Sequence, residues 1–313
     1  MVHYSLALTT AGLIKSWEAD YTVADRLQTS GLEIAREHNL LVPLLFSAFL
    51  RGLTLTGKGD YATALATFRE GLELSRKVGD EAIHHRLLNC LGWLHFELGD
   101  FDGAAALNQK SADEGRRRSD PGTLPNAELN LGDIALARGD LAGAREMFDR
   151  VDRFARDPTT SAWMRFRYSI RLAASQGELA LAGGELGEAE RHARRCLELA
   201  TRTNARKNLV KAWRLAGQTA CAAGRWEDAG RALDEARTIA EAIGNPAQLW
   251  RTYGALATFH AGHGDKEAAR SAAADAVRVV EGVLAGLPDE TLRASLGNLP
   301  LVREVRARAR RAT

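Results

Sequence analysis

The sequence predicts an all-α fold, a solenoid of about seven stacked helix pairs, and three observations carry that prediction. Ala, Leu, Glu and Arg, all strong helix formers, are abundant, while only seven of 313 residues are proline. Val and Ile nowhere alternate with polar residues over the length of a half-buried strand. Above all, one phrase returns at a near-constant interval. Gly59-Asp60-Tyr61-x-x-Ala64 recurs as Gly99-Asp100-Phe101-x-x-Ala104 and Gly139-Asp140-Leu141-x-x-Ala144. It returns as Gly184-Glu185-Leu186-x-x-Ala189, Gly224-Arg225-Trp226-x-x-Ala229 and Gly264-Asp265-Lys266-x-x-Ala269, with an earlier copy at Ala19-Asp20-Tyr21-x-x-Ala24. The intervals are 40, 40, 40, 45, 40 and 40 residues. Such self-similarity marks stacked supersecondary units.

Each position of the repeat has a mechanical reason. The turn glycine ends one helix in the left-handed conformation that a Cβ disfavours. Asp20, Asp60, Asp100, Asp140 and Asp265 then suit the N-cap of the next helix. Seven positions ahead of each turn lies a small residue: Gly12, Gly52, Gly92, Gly132, Gly177, Gly217 or Ala257. A mid-helix glycine costs about 1 kcal/mol relative to alanine unless a neighbouring backbone must come close. The alanine five residues past the turn is the expected surface it meets. The five-residue insertion falls around Asp157-Pro158-Thr159-Thr160-Ser161, predicting a slight break near 152–161 and a longer following helix capped by Thr160 or Ser161. The array is expected over 1–285, and 286–313 is expected to form helices that cap it, the last running from Val302 to Arg311.

The pattern resembles the tetratricopeptide repeat (TPR) family. Leu91-Gly92 and Leu131-Gly132 match that family's Leu-Gly pair, and Ala64-x-x-x-Phe68 and Ala144-x-x-x-Phe148 match its Ala-x-x-x-Phe. The resemblance implies a right-handed solenoid whose first helices line a concave groove. The period departs from the usual 34 residues, which implies longer helices, and the family's closing proline is mostly missing. Trp163-Met164-Arg165-Phe166-Arg167-Tyr168, Asn245-Pro246 to Trp250-Arg251, and Leu287-Pro288-Asp289 to Val302 look like one arrangement. It is similar to the C-terminal repeat region of large bacterial signal-transduction ATPases and cyclase-type regulators. In that family the repeat arm is thought to sense a ligand or partner and to control upstream modules, none of which is in this sequence.

Composition narrows the function. Lys plus Arg total 42 against 40 Asp plus Glu, a formal charge of +2, which gives no whole-chain argument for nucleic acid or an anionic membrane. Apolar residues are 45% and charged residues 26%, as in ordinary globular proteins. No run of 18 apolar residues occurs, and the N-terminus does not read as a signal peptide. Cys90, Cys196 and Cys221 fit no disulfide framework, so a reducing cytoplasm is expected.

Most chemical motifs dissolve on inspection. Gly52-x-x-x-x-Gly57-Lys58 imitates a phosphate-binding loop, but Gly59 replaces the required Ser or Thr and no strand precedes it. His260 and His263 share a helix face without further ligands, whereas zinc needs three or four. Arg116-Arg117-Arg118 reads as a solvated helix end favoured by the helix dipole. No catalytic residues, metal or cofactor are assigned, and an enzyme is not expected.

One constellation survives. Thirteen residues ahead of successive turns stand Phe46, Arg86, Asn126, Arg171, Lys211 and Arg251, four of the six cationic. Arg167 and Lys207 lie one turn earlier and Arg214 about one turn later. Residues 161–260 hold 15 Lys or Arg against 10 Asp or Glu. Long cationic side chains can simply solvate a helix face, with Glu178 neutralising part of it. The functional reading is a basic groove that takes an acidic peptide segment or a C-terminal carboxylate, extended by Asn89, Trp93 and Asn126. Trp93 also suits core packing. The chain therefore reads as a non-catalytic protein- or peptide-binding scaffold, the regulatory or sensing arm of a bacterial signalling system. The alternatives are a small-molecule or peptide-pheromone receptor and, after it, a nucleic-acid-binding solenoid.

Overall fold

The computed structural model describes residues 1–120 and 122–310, which form sixteen helices and no strand. Arg311, the expected end of the last helix, lies outside the described residues. Contacts divide the chain into two compact units, one of residues Met1–Ile134 and one beginning at Ala135. The first holds α1 (Val2–Trp17), α2 (Tyr21–Glu37), α3 (Leu41–Lys58), α4 (Tyr61–Val78), α5 (Glu81–Glu97), α6 (Phe101–Arg118) and most of α7 (Leu124–Ala137). The second holds α8 (Leu141–Arg156), α9 (Ala162–Ala182), α10 (Leu186–Arg202), α11 (Arg206–Ala222) and α12 (Trp226–Ile243). It continues with α13 (Pro246–Gly262), α14 (Lys266–Gly286), α15 (Glu290–Gly297) and α16 (Pro300–Arg310).

The repeat phrase builds the turns as its chemistry demands. Gly59 and Gly264 both sit at φ +89°. At the first turn Ala19 occupies the same left-handed region at φ +59°, a conformation that costs an L-residue roughly 1–2 kcal/mol. All five expected aspartates cap their helices; the Asp60 carboxylate accepts from the Thr63 N–H at 3.1 Å and that of Asp140 from the Gly143 N–H at 2.9 Å. Glu185 and Arg225 stand at the same position without a side-chain cap bond. Asp157 accepts from the Thr159 N–H and hydroxyl in the inserted segment, and Ser161 caps α9, the 21-residue helix that follows.

Gly12, Gly217 and Gly177 approach the repeat alanine itself, a Cβ there lying 2.9, 3.2 and 3.5 Å from the carbonyl oxygens of Ala24, Ala229 and Ala189. At Gly52 and Gly92 the nearest side chain is instead one turn further along. A Cβ on Gly52 would lie 2.2 Å from Cε1 of Phe68, and one on Gly92 would lie 2.3 Å from Nδ2 of Asn108. Phe68 and Asn108 stand four residues beyond Ala64 and Ala104. The repeat alanines are themselves sealed: Ala64, Ala104, Ala144, Ala189 and Ala229 have no exposed surface. First helices also pack on one another, α1 on α3 and α3 on α5 in the first unit, α9 on α11 and α11 on α13 in the second. By contrast, α10 and α12, on either side of α11, stand apart.

After Gly286 the chain turns back onto the second unit. Val302 and Val305 of α16 are buried, and α16 packs on α14 and α13. Arg308 donates to the Ala257 carbonyl at 2.9 Å, and Arg306 reaches Glu281 at 2.8 Å. These contacts cover apolar surface that the seventh pair would otherwise leave open.

The apparent phosphate loop is dismantled by the same packing. Gly52 sits inside α3 against Phe68, and Lys58 bonds Asp25 of α2 at 3.0 Å. Arg51 meets the same carboxylate at 3.0 Å. Burial alone would raise the Asp25 pKa, but the bonds and charges of Lys58 and Arg51 outweigh it and hold the carboxyl below its ordinary 3.8. A depressed folded value contributes stability that is complete above the unfolded-state pKa and fades as pH falls through the folded one. Asp25→Asn is therefore expected to lower the thermal midpoint at neutral pH, with the gap closing in melts run well below the ordinary carboxylate range.

Candidate functional site

The ten candidate residues divide between the two units, and the structure treats the two sets differently. Arg86, Asn89, Trp93 and Asn126 fall in the first unit. There the polar groups work inside the helix packing. Asn89 is 1% exposed and donates to the Thr123 carbonyl at 3.0 Å; Asn126 is 7% exposed. Asn130 donates to Asn108 Oδ1 at 2.8 Å, and Asn108 in turn to the Ala104 carbonyl at 2.8 Å. The Trp93 indole N–H donates to Glu97 of its own helix at 3.0 Å. Arg86 is half-buried with its guanidinium against Gly122, where a Cβ would lie 2.5 Å from Nη2. Asn89 and Asn126, expected to extend a groove, are both buried instead, Asn89 in a polar seam between helices. Asn108 and Asn130, which complete that seam, escaped the sequence reading because amides at helical spacing look like ordinary surface residues.

The second unit holds the cationic row. Arg171 of α9, Lys211 of α11 and Arg251 of α13 occupy one register on three helices packed side by side. Arg167 and Lys207 stand one turn toward the N-terminus. All five are half-buried, with stems against the helices. The Arg251 guanidinium lies 5.0 Å from the centroid of the Trp250 ring, and that of Arg167 lies 5.2 Å from that of Tyr168. Both rings are buried, so these cation–π contacts hold the guanidinium groups in place.

Arg214 does not belong to this surface. It is 6% exposed, and its Nη1 donates to Gln248 Oε1 at 3.1 Å and Thr252 Oγ1 at 3.4 Å on α13. It lies three positions past Lys211, about 300° around the helix, which turns it into the α11–α13 seam.

Several other reactive groups are engaged in packing. Cys196 sits beneath the row with its thiol pushed up to about 12 by burial, Lys211 and Glu178 acting on it with opposite sign. A thiol so raised is no nucleophile at neutral pH. His84 and His85 are held below their ordinary value first by burial and then by nearby cations, and His84 Nδ1 meets the Ser75 hydroxyl at 2.9 Å. His263 stacks on Phe259 at 6.1 Å and His260 meets the same ring at 5.0 Å. Among the described residues no group of three His, Cys, Asp or Glu side chains is placed to hold a metal, and no helix is long and apolar enough to cross a membrane. Arg116 and Arg118 at the end of α6 pair with Asp113 at 3.0 Å and Glu114 at 2.6 Å.

Comparison with known proteins follows the same lines. A search of the curated proteins returns no match. Among solved structures, the Rap protein complexed with Competence and Sporulation Factor matches with a TM-score of 0.61 at 12% identity, covering 99% of each chain. The apo form of the quorum sensor NprR from B. thuringiensis matches at 0.54 and 13% identity, over 98% of this chain and 85% of that one. The APC/C hetero-tetramer Cut9-Hcn1 gives 0.51 at 13% identity, over 91% of this chain and 52% of that one. Identities this low show the fold alone, an array of antiparallel helix pairs. The family described as the MalT-like TPR region matches residues 2–174, more than half of the sequence. With its helix pairs, capped turns and close-packed small residues, the chain belongs to the MalT-like TPR family.

Proposed function

We propose that this chain is a non-catalytic binding arm that takes an acidic protein or peptide segment along the cationic row of α9, α11 and α13. The observation that carries the reading is the register of Arg171, Lys211 and Arg251 on three adjacent first helices. Cations stacked this way add their potentials along one line, and that summed potential steers an acidic segment to the row. The guanidinium groups over Trp250 and Tyr168 lose little freedom on binding, and arginine pairs with carboxylates bidentately. A role as the regulatory or sensing arm of a bacterial signalling system, in the cytoplasm, fits the family and the quorum sensor among the structural neighbours. A second reading, a small-molecule or peptide-pheromone receptor, is favoured by the Rap neighbour, which is complexed with Competence and Sporulation Factor.

The test uses a fluorescein-labelled octaglutamate with a free C-terminal carboxylate, followed by anisotropy at fixed salt. Lys211→Glu/Arg251→Glu is expected to weaken binding by about tenfold or more, or roughly 1.4 kcal/mol. Arg194→Glu/Arg202→Glu, exposed on α10, makes the same change in net charge and is expected to have little effect. Equal losses in the two double variants would reduce the row to a solvated face. An oligonucleotide binding more tightly, with a steep salt dependence, would instead favour a nucleic-acid ligand.

A further inference from the structure

A feature that the cationic row does not explain lies on the other side of α11. Trp213 follows Lys211 by two positions, a rotation of about 200° around the helix, so it faces away from the row. There, where α10 and α12 stand apart, an open pocket of ≈ 590 Å³ reaches the flank of α11. That volume falls within the ~300–1,000 Å³ of small-ligand sites. The floor is apolar: the half-buried Trp213 with Ala216 and Ala220 of α11 and Ala232 of α12.

The rim is acidic. Glu190 of α10 and Asp228, Asp234 and Glu235 of α12 line it together with Arg225 and Arg231. Both arginines are engaged: Arg225 bonds Glu190 at 2.6 Å, and Arg231 bonds Asp228 at 2.5 Å and Glu227 at 2.6 Å. Asp234 pairs with Arg237 at 3.0 Å. Glu235 is exposed and, like the Trp213 indole, has no hydrogen-bonding or ionic partner among the described residues.

A floor of indole and alanine methyls with a spare carboxylate at its edge complements one kind of side chain: a long aliphatic stem ending in a cation. The stem would cover Ala216 and Ala220. The charged head would sit between the face of Trp213 and the Glu235 carboxylate, combining cation–π attraction with a charge-assisted hydrogen bond. An acidic side chain would meet the Glu235 carboxylate, while Arg225 and Arg231 are already engaged by carboxylates of the protein. We propose that this pocket receives a lysine or arginine side chain from a basic segment of a protein partner, arginine being favoured because its planar head both stacks on indole and pairs with a carboxylate. The site is separate from the cationic row, opposite to it in charge, and independent of the ligand assigned there.

The experiment follows the indole Nε1–H resonance of Trp213, assigned by its loss in Trp213→Phe, in the full chain. The probes are the capped tripeptides Ac-Ala-Arg-Ala-NH2 and Ac-Ala-Glu-Ala-NH2, and spermidine. The arginine peptide is expected to shift the resonance saturably and the glutamate peptide not at all. Glu235→Gln, at an exposed position where folding is not at stake, should weaken the arginine peptide by about threefold to fivefold. A shift that never saturates, or an equal response to the glutamate peptide, would overturn the proposal. So would a stronger response to spermidine, which would mark a polyamine site.

Discussion

Ala64→Trp is expected to lower the thermal midpoint of the chain sharply, whereas Ala66→Trp, two residues along the same helix, should leave it nearly unchanged. Ala64 has no exposed surface, and it sits one turn before Phe68, which has none either and already presses on Gly52. An indole has nowhere to go without driving α3 and α4 apart. Overpacking of this kind costs roughly 1–3 kcal/mol and at times more. Ala66 points to solvent. Gly92→Trp should be as damaging by a different route. A side chain there displaces the Asn108 amide, which bonds both Asn130 and the Ala104 carbonyl, and leaves buried polar groups unmet. Circular dichroism melts of the three variants decide the matter. Should Ala64→Trp and Ala66→Trp melt alike, the helix face assigned to the pair interface is wrong.

How far the fold could be read from the sequence depends on which force fixes each feature. Helix ends were legible because they rest on local rules: Asp60 and Asp140 cap as residue type and spacing require, and Gly59 takes the left-handed turn. The contact at Gly52 was legible only to within a turn. Periodicity says that something small must face a neighbour, but the side chain that fills the gap, Phe68, is set by where helical side chains lean, not by the repeat's most regular letter. The cationic row was legible as a register and not as an environment. Lys211 and Arg214 are three apart on one helix, yet one is half-buried and the other is 6% exposed. That difference comes from the neighbouring α13, whose Gln248 and Thr252 lie far along the chain. The Trp213 pocket was invisible for the same reason, since its walls come from three helices, α10, α11 and α12.

Gln248→Leu tests the consequence of that burial, and it should destabilise the chain more than most polar-to-apolar changes. Arg214 carries a charge into the α11–α13 seam, and Oε1 of Gln248, a residue 1% exposed, accepts one of its bonds at 3.1 Å. Hydrogen bonds to charged groups contribute roughly 1.5–3 kcal/mol, and a buried cation that loses an acceptor bears the desolvation without the compensation. About 2 kcal/mol corresponds to a fall in melting temperature of roughly 4–8 °C for a domain of 150–250 residues. Arg214→Met keeps much of the stem volume and removes the charge, so the double variant Arg214→Met/Gln248→Leu should be more stable than Gln248→Leu alone. A double variant no better than that single one would show that the guanidinium does not depend on Gln248. The same Arg214→Met chain should bind the octaglutamate probe as the parent does, because the charge it removes faces the seam and not the ligand. If Arg214→Met weakens that binding as much as Lys211→Ala, then Arg214 reaches the partner surface, and the line drawn here between the buried cation and the row above it has to be redrawn.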